Sequence, residues 1–218
     1  VLEHDMLEAP DYVAESPDHR PPHDSFDALA VTGYFTAEMH SEGKREMLQQ
    51  WLRDSRAAAE SLADTQGLTG AARDDFIAAH RFDQALELAG RELLDGSVSG
   101  NPENSIRDLL DRTLAHHVEV ARDYGMALVM YEGGTHVVVR PEDHGDTELV
   151  AFFEALNYSP QMGDLYRALI AGWQALTPAP FVAYMDIGKP SVWGSWGALR
   201  FLDDQNPRWD ALMAATAR

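Results

Sequence analysis

The run of residues 126–136 (MALVMYEGGTH) limits the possible folds more than any other part of the chain. Residues 126–130 hold no charged or amide side chain and do not alternate, which predicts a parallel strand covered on both faces. Glu132 follows directly, and ligand sites in α/β proteins lie at the carboxyl ends of parallel strands. Gly133 and Gly134 predict a sharp turn beside the carboxylate. We therefore expect Glu132 at the rim of a cleft; an ordinary solvated glutamate at a strand exit fits the pattern equally well.

Two other apolar segments predict strands of the same kind. Residues 26–35 (FDALAVTGYF) end in a glycine and two aromatic residues, and residues 181–187 (FVAYMDI) follow a pair of prolines. Glu38 and His40, in the loop after the first of these strands, are interpreted as facing solvent. Apolar residues at helical spacing predict helices between the strands, at residues 44–63, 70–95, 106–124, 149–156, 164–176 and 206–217. Strands that alternate with helices indicate an α/β fold.

The chain divides at about residue 25. Residues 1–25 are predicted to hold the end of a preceding helix and a proline-rich surface loop, and residues 26–218 to form a single α/β unit. His19 and His23 lie in that loop without a helix to align them, so we predict no metal site there. Because residue 1 is a valine that opens directly into a helix-like segment, we expect a piece of a longer protein.

Composition excludes several classes of function. With 36 acidic against 17 basic residues and a formal charge of −19, nucleic acid and anionic membrane surfaces are not expected as partners. The chain has no cysteine, which excludes disulfides, thiolate nucleophiles and cysteine metal sites. No apolar run approaches the length that spans a bilayer. We predict no cofactor.

The ends of the three predicted strands indicate a sugar site. Parallel strands would place Tyr34, Glu132 and Tyr184 at one edge of the sheet, with Trp193 and Trp196 in the adjoining loop, residues 188–197. Aromatic rings stack on the C–H faces of sugars while carboxylates accept hydrogen bonds from their hydroxyls. A carbohydrate is therefore the expected ligand, and the alternative is that the tryptophans pack in the core.

These motifs carry a resemblance to a known family. Residues 131–136 (YEGGTH), 162–166 (MGDLY) and 193–197 (WGSWG) resemble the carboxyl-terminal half of (β/α)8-barrel retaining glycoside hydrolases, including bacterial cellulase-like proteins loosely described as cellulose-binding. The resemblance implies a TIM-barrel-like but incomplete barrel, in which residues 26–35, 126–132 and 181–187 are similar to strands six, seven and eight. It implies that Glu132 is the nucleophile, that Tyr131 and His136 support it, and that the tryptophans hold the sugar. A secreted or periplasmic parent protein is also implied.

The chain departs from the family in one important respect. Retaining hydrolysis needs a second carboxyl group about 5 Å from the nucleophile, and the family's acid/base follows an asparagine at the end of strand four. No segment before residue 26 resembles that strand, and no Asn-Glu pair occurs in the chain. Glu38 is a conceivable substitute. The hypotheses are a glycoside-hydrolase-like domain acting on a β-linked polysaccharide or glycoside, a non-catalytic carbohydrate-binding protein, and a half-barrel completed by its missing half or another chain.

Overall fold

The fold is of the mixed α/β class. The computed structural model describes residues 6–8 and 20–216. Its strands are β1 (Ala28–Phe35), β2 (Ala127–Thr135), β3 (Met185–Ile187) and β4 (Gly197–Leu199). Its longer helices are α1 (Glu42–Thr65), α2 (Gly70–His80), α3 (Asp83–Asp95), α4 (residues 106–123), α5 (Thr147–Asn157), α6 (Pro160–Leu176) and α7 (Pro207–Thr216). Of the helix end predicted at residues 1–7, residues 6 and 7 are described and are helical. Most of the proline-rich loop, including His19, lies outside the described residues.

Two small parallel sheets organise the chain. β1 pairs with β2, and β3 pairs with β4. A parallel bridge from Gly133 to Ala183 also places the segment before β3 beside β2, on the side away from β1. The described residues do not form a closed barrel, and within them no strand pairs with the outer side of β1.

The β1–β2 sheet is covered on one face. Val31 and Phe35 of β1, together with Leu128 and Met130 of β2, are buried in a core that also receives helices α1 and α3 to α7. On the other face Ala30 and Ala127 are exposed. The prediction that residues 126–130 are covered on both faces was therefore wrong, because helices pack against one side of the sheet and the other side remains open.

Two strand predictions needed correction at their ends. β2 does not stop at Glu132 but runs on through both glycines, because Gly133 and Gly134 pair with Gly33 and Tyr34. Residues 181–187 were predicted as a buried strand, yet only Met185–Ile187 forms a regular strand and all three of its residues are exposed. Its partner, β4, begins at the last residue of the predicted 188–197 loop.

The helices agree with the predicted segments except for one break. The segment predicted as a single helix over residues 70–95 is two helices separated at Arg81 and Phe82. Phe82 turns into the core and contacts the ring of Phe152 with centroids 5.5 Å apart. The Ser55 hydroxyl accepts hydrogen bonds from the backbone N–H groups of Gln84 and Ala85, directly after the break, and so caps the N-terminus of α3. Among the described helices none is long and apolar enough to cross a bilayer.

Candidate functional site

A β-bulge sets the direction of Glu132. Val31 lies opposite Met130, but Thr32 lies opposite Glu132, so Tyr131 is a surplus residue in β2. Glu132 consequently shares the open face of the sheet with Thr32. Tyr131 is 56% exposed and lines a groove of about 540 Å³ along the outer side of β1. Thr32 lines the same groove, and the role that the resemblance gives to Tyr131 stays a prediction.

Four rings gather at the carboxyl ends of β1 and β2. We call them the aromatic cluster: Tyr34, His136, Tyr184 and Trp196. The Tyr34 ring lies 5.6 Å from His136, 6.2 Å from Tyr184 and 6.5 Å from Trp196, measured between centroids. Trp196 lies 5.0 Å from His136 and 5.5 Å from Tyr184. The rings meet edge-on or tilted, as aromatic pairs prefer.

Glu132 is linked to this cluster through Tyr34. Burial of the Tyr34 ring, together with the negative charge of the nearby Glu132 carboxylate, raises the pKa of Tyr34 well above that of an ordinary phenol. The Tyr34 hydroxyl therefore stays protonated across the physiological pH range.

The surroundings of His136 favour its neutral form. Its backbone N–H donates to the carbonyl of Phe35 over 2.9 Å, which extends the pairing of the two strands by one residue. Burial lowers the pKa of the His136 imidazole, and the proximity of His40 lowers it further. A neutral imidazole can both donate and accept one hydrogen bond, which suits contact with a hydroxyl group.

The two glycines after Glu132 serve close packing rather than a turn. A Cβ on Gly133 would lie 2.7 Å from the sulfur of Met130 and 2.9 Å from the carbonyl oxygen of Gly33. Gly134 has φ of +133°, and a Cβ there would lie 2.4 Å from the hydroxyl of Tyr166. That hydroxyl accepts a hydrogen bond from the backbone N–H of Thr135 over 3.2 Å, so α6 supports the end of β2.

The two tryptophans differ in position. Trp196 belongs to the cluster, and its indole N–H donates to the carbonyl of Trp193 over 3.0 Å. Trp193 is 65% exposed and stacks edge-on against His144 at 4.6 Å. Between them, the carbonyl of Ser195 accepts a hydrogen bond of 3.0 Å from the fully buried Arg208 of α7. Trp193 therefore does not pack in the core, so the alternative that both tryptophans are core residues was wrong for Trp193.

Three residues near the cluster were not among the predicted site residues. Glu38 and His40, expected to face solvent, are each only partly exposed. The Nδ1 atom of His40 is buried and has no hydrogen-bond partner among the described residues. Arg208 lies in a helix whose sequence, PRWDALMAAT, does not distinguish a buried arginine from a surface one. A position three residues past a predicted strand end was the only sequence signal for Glu38.

Metal binding is not indicated by the described residues, in which no group of three histidine or acidic side chains is arranged to hold an ion. Comparison of the chain with protein-family models, with curated proteins and with solved structures found no match. Function is therefore argued from the geometry of the cluster and the chemistry of its side chains.

Proposed function

We propose that this chain is a glycoside-hydrolase-like domain that acts on a β-linked polysaccharide or glycoside, with Glu132 as the nucleophile. The observation that carries the proposal is the placement of Glu132 on the open face of the sheet, next to Tyr34 and the other rings of the aromatic cluster. A carboxylate beside aromatic walls can approach the anomeric carbon of a sugar whose C–H face lies on a ring. Tyr34, His136, Tyr184 and Trp196 would contact that sugar.

The order of the strands supports the same proposal. β1, β2 and the segment around Ala183 lie side by side, parallel and in chain order, with helices between them. Consecutive strands of a (β/α)8 barrel have this arrangement, so the three segments fit the positions of strands six, seven and eight. On this proposal the open face of the β1–β2 sheet corresponds to the interior of a barrel whose other strands belong to the missing half or to another chain.

The reaction proposed for Glu132 needs a second carboxyl group. In a retaining mechanism the nucleophile forms a covalent glycosyl ester while an acid, about 5–5.5 Å away, protonates the leaving oxygen. We propose that the region that completes the barrel supplies this acid. Glu38 is a poor substitute, because its Oε1 atom already accepts hydrogen bonds from Asn104 and Thr36.

The engagement of Glu38 favours one alternative. If no acid is supplied from elsewhere, the same cluster would act as a non-catalytic carbohydrate-binding site. Sugar would still stack on Trp196 and Tyr184, and Glu132 would accept hydrogen bonds from sugar hydroxyls instead of attacking carbon.

A mechanism-based label separates these two functions. A dinitrophenyl leaving group departs without acid catalysis, and fluorine beside the anomeric carbon slows hydrolysis of the ester, so a nucleophile can be trapped without its acid partner. We expect a dinitrophenyl deoxyfluoro-β-glucoside or β-cellobioside to add one glycosyl unit, detected by intact-protein mass spectrometry and mapped to Glu132 by peptide sequencing. Glu132→Gln should not be labelled, whereas the exposed control Glu46→Gln on α1 should be labelled as in the unchanged chain.

The same samples test binding. Quenching of tryptophan fluorescence by cellobiose reports occupancy of the aromatic cluster. Binding without labelling would favour the carbohydrate-binding alternative. Labelling at another residue, or labelling that persists in Glu132→Gln, would show that Glu132 is not the nucleophile.

A further inference from the structure

The turn that follows β1 has a backbone that L-amino acids rarely adopt. Ala37 and Glu38 have φ of +43° and +52°, and Asn104, which lies against them, has φ of +55°. None of the three is glycine. Such conformations persist only where the surroundings fix them, and they concentrate at functional sites.

Buried contacts hold this turn in place. The backbone N–H groups of Thr36 and Ala37 both donate to the carbonyl of Asn104, over 3.0 and 2.8 Å. The ammonium of Lys44 donates to the carbonyl of Ala37 over 2.5 Å and also to the carboxylate of Glu92. Lys44 is 5% exposed and Glu92 is fully buried. The buried ion pair of Lys44 and Glu92 therefore stabilises the turn.

The side chains of Glu38 and Asn104 in this turn can accept and donate hydrogen bonds. The amide of Asn104 donates to Oε1 of Glu38, and the hydroxyl of Thr36 lies 3.5 Å from the same oxygen. Among the described residues, neither the second carboxylate oxygen of Glu38 nor the amide oxygen of Asn104 has a hydrogen-bond partner. The Glu38–Asn104 pair thus presents two acceptors and one remaining amide N–H side by side.

This pair borders the aromatic cluster. The turn begins directly after Phe35, whose carbonyl is bonded to the N–H of His136. His40, at the end of the same turn, lies close enough to His136 to affect its protonation. Thr36, whose hydroxyl lies next to Glu38, is two residues beyond the cluster ring Tyr34 in the chain, so the pair follows directly on the carboxyl end of β1.

We propose that the Glu38–Asn104 pair is a second saccharide subsite, which binds hydroxyl groups of the sugar unit next to the one held at Glu132. Adjacent hydroxyls of a pyranose match neighbouring carboxylate and amide groups: each hydroxyl can donate to one of the two oxygens, and one of them can accept from the remaining amide N–H. The inference rests on the proposed function, since it assumes that a sugar occupies the aromatic cluster. It assigns Glu38 a role in binding rather than in proton transfer.

Glucose and cellobiose distinguish one occupied subsite from two. In ¹H–¹⁵N NMR spectra we expect the Trp196 indole signal to shift with either sugar, and the Asn104 side-chain amide signals to shift with cellobiose alone. If cellobiose moves the Trp196 signal but leaves the Asn104 amide unchanged, the second subsite is wrong while the proposed function stands. If neither sugar moves either signal, both proposals are wrong for β-linked glucose.

The variant Glu38→Gln tests the carboxylate itself. It keeps the size and an acceptor for Asn104 but removes the charge, so we expect cellobiose affinity to fall about ten-fold, as for loss of one charge-assisted hydrogen bond. Glucose affinity should not change. Glu103→Gln, an exposed change one residue from Asn104, should affect neither. The subsite would be overturned if Glu38→Gln lost equal affinity for glucose and for cellobiose. It would also be overturned if Glu38→Gln kept its affinity for cellobiose while unfolding at the same temperature as the unchanged chain.

Discussion

Replacing Arg208 by methionine should separate the stability of the protein from the geometry of the proposed sugar site. Arg208 lies in the first turn of α7 and is fully buried. Its described contacts are the carbonyl of Ser195 at 3.0 Å and the rings of Tyr158 and Tyr166, 4.8 and 5.8 Å from the guanidinium carbon. Its Nε and Nη2 atoms find no hydrogen-bond partner among the described residues.

The opposing contributions of this side chain nearly cancel. A hydrogen bond from a charged donor stabilises by about 1.5–3 kcal/mol, and each cation–π contact by about 0.5–2 kcal/mol. Against them stand a desolvation penalty of roughly several kcal/mol for a buried ion and about 0.3–1 kcal/mol for a cation near a helix N-terminus. Methionine fills much of the same volume without charge. We therefore expect Arg208→Met to change the free energy of unfolding by less than about 2 kcal/mol in either direction.

The same change should loosen the aromatic cluster. Without Arg208 the carbonyl of Ser195 loses its donor, and the backbone between Trp193 and Trp196 loses its attachment to α7. We expect the near-ultraviolet circular dichroism of the tryptophans to weaken and cellobiose affinity to fall by about ten-fold, because Trp196 is no longer held against His136 and Tyr184.

Urea denaturation and cellobiose titration together provide the assay. Arg167→Met is the matched control, because Arg167 is exposed on α6 and pairs with Asp164 at the surface, where such pairs contribute about 0–1 kcal/mol. The control should keep both stability and affinity. Arg208→Met could instead lower the free energy of unfolding by more than about 3 kcal/mol, with an unchanged slope of that free energy against urea concentration. This result would refute the near cancellation of the opposing contributions of Arg208.

Three further changes test other contacts. Glu132→Gln should lower the raised pKa of Tyr34, although burial keeps it above that of a free phenol; an unchanged phenolate titration would contradict the effect of the Glu132 charge on Tyr34. In the unchanged chain, the stability that this raised pKa contributes is complete below about pH 10, the unfolded value, and is lost as the pH rises through the folded pKa. Lys44→Met should cost about 3–5 kcal/mol in urea denaturation because Glu92 is left buried without its cation, and adding Glu92→Gln should restore part of it. Gly134→Ala should lower the melting temperature by several degrees, since the substitution combines positive φ with a Cβ 2.4 Å from a tyrosine hydroxyl; an unchanged melting temperature would show that the strand end can shift freely.

The sequence predicted the class of fold and most of its helices because those depend on local signals. Ser105 caps α4 by accepting from the N–H of Asp108, so this helix begins at the predicted residue 106. Ser159 caps α6 by accepting from the N–H of Met162, and this helix begins four residues before its predicted start at residue 164. The break after α2 was missed because it depends on Ser55, about thirty residues earlier in the chain. A cap supplied by a distant side chain leaves no local pattern.

Part of the site could be predicted because it follows from the strand assignments alone. Tyr34, Tyr184 and Trp196 converge because parallel strands align their carboxyl ends, and that rule needs only the strand assignments. The separation of Trp193 from Trp196 depends on the loop's attachment to Arg208 and on the contact with His144. Both are tertiary contacts that spacing in the sequence cannot indicate.

The position of Glu132 depends on a single surplus residue. Before the bulge, Leu128 and Met130 point into the core; with regular alternation Glu132 would follow them and lie opposite Gly33, on the buried face. An unpaired carboxylate there would cost several kcal/mol. Because Tyr131 is extra, the alternation shifts by one residue, Gly133 takes the buried place against Met130, and Glu132 emerges beside Tyr34. The glycine that we expected to make a turn is instead the residue small enough to occupy the core position that the bulge takes from the glutamate.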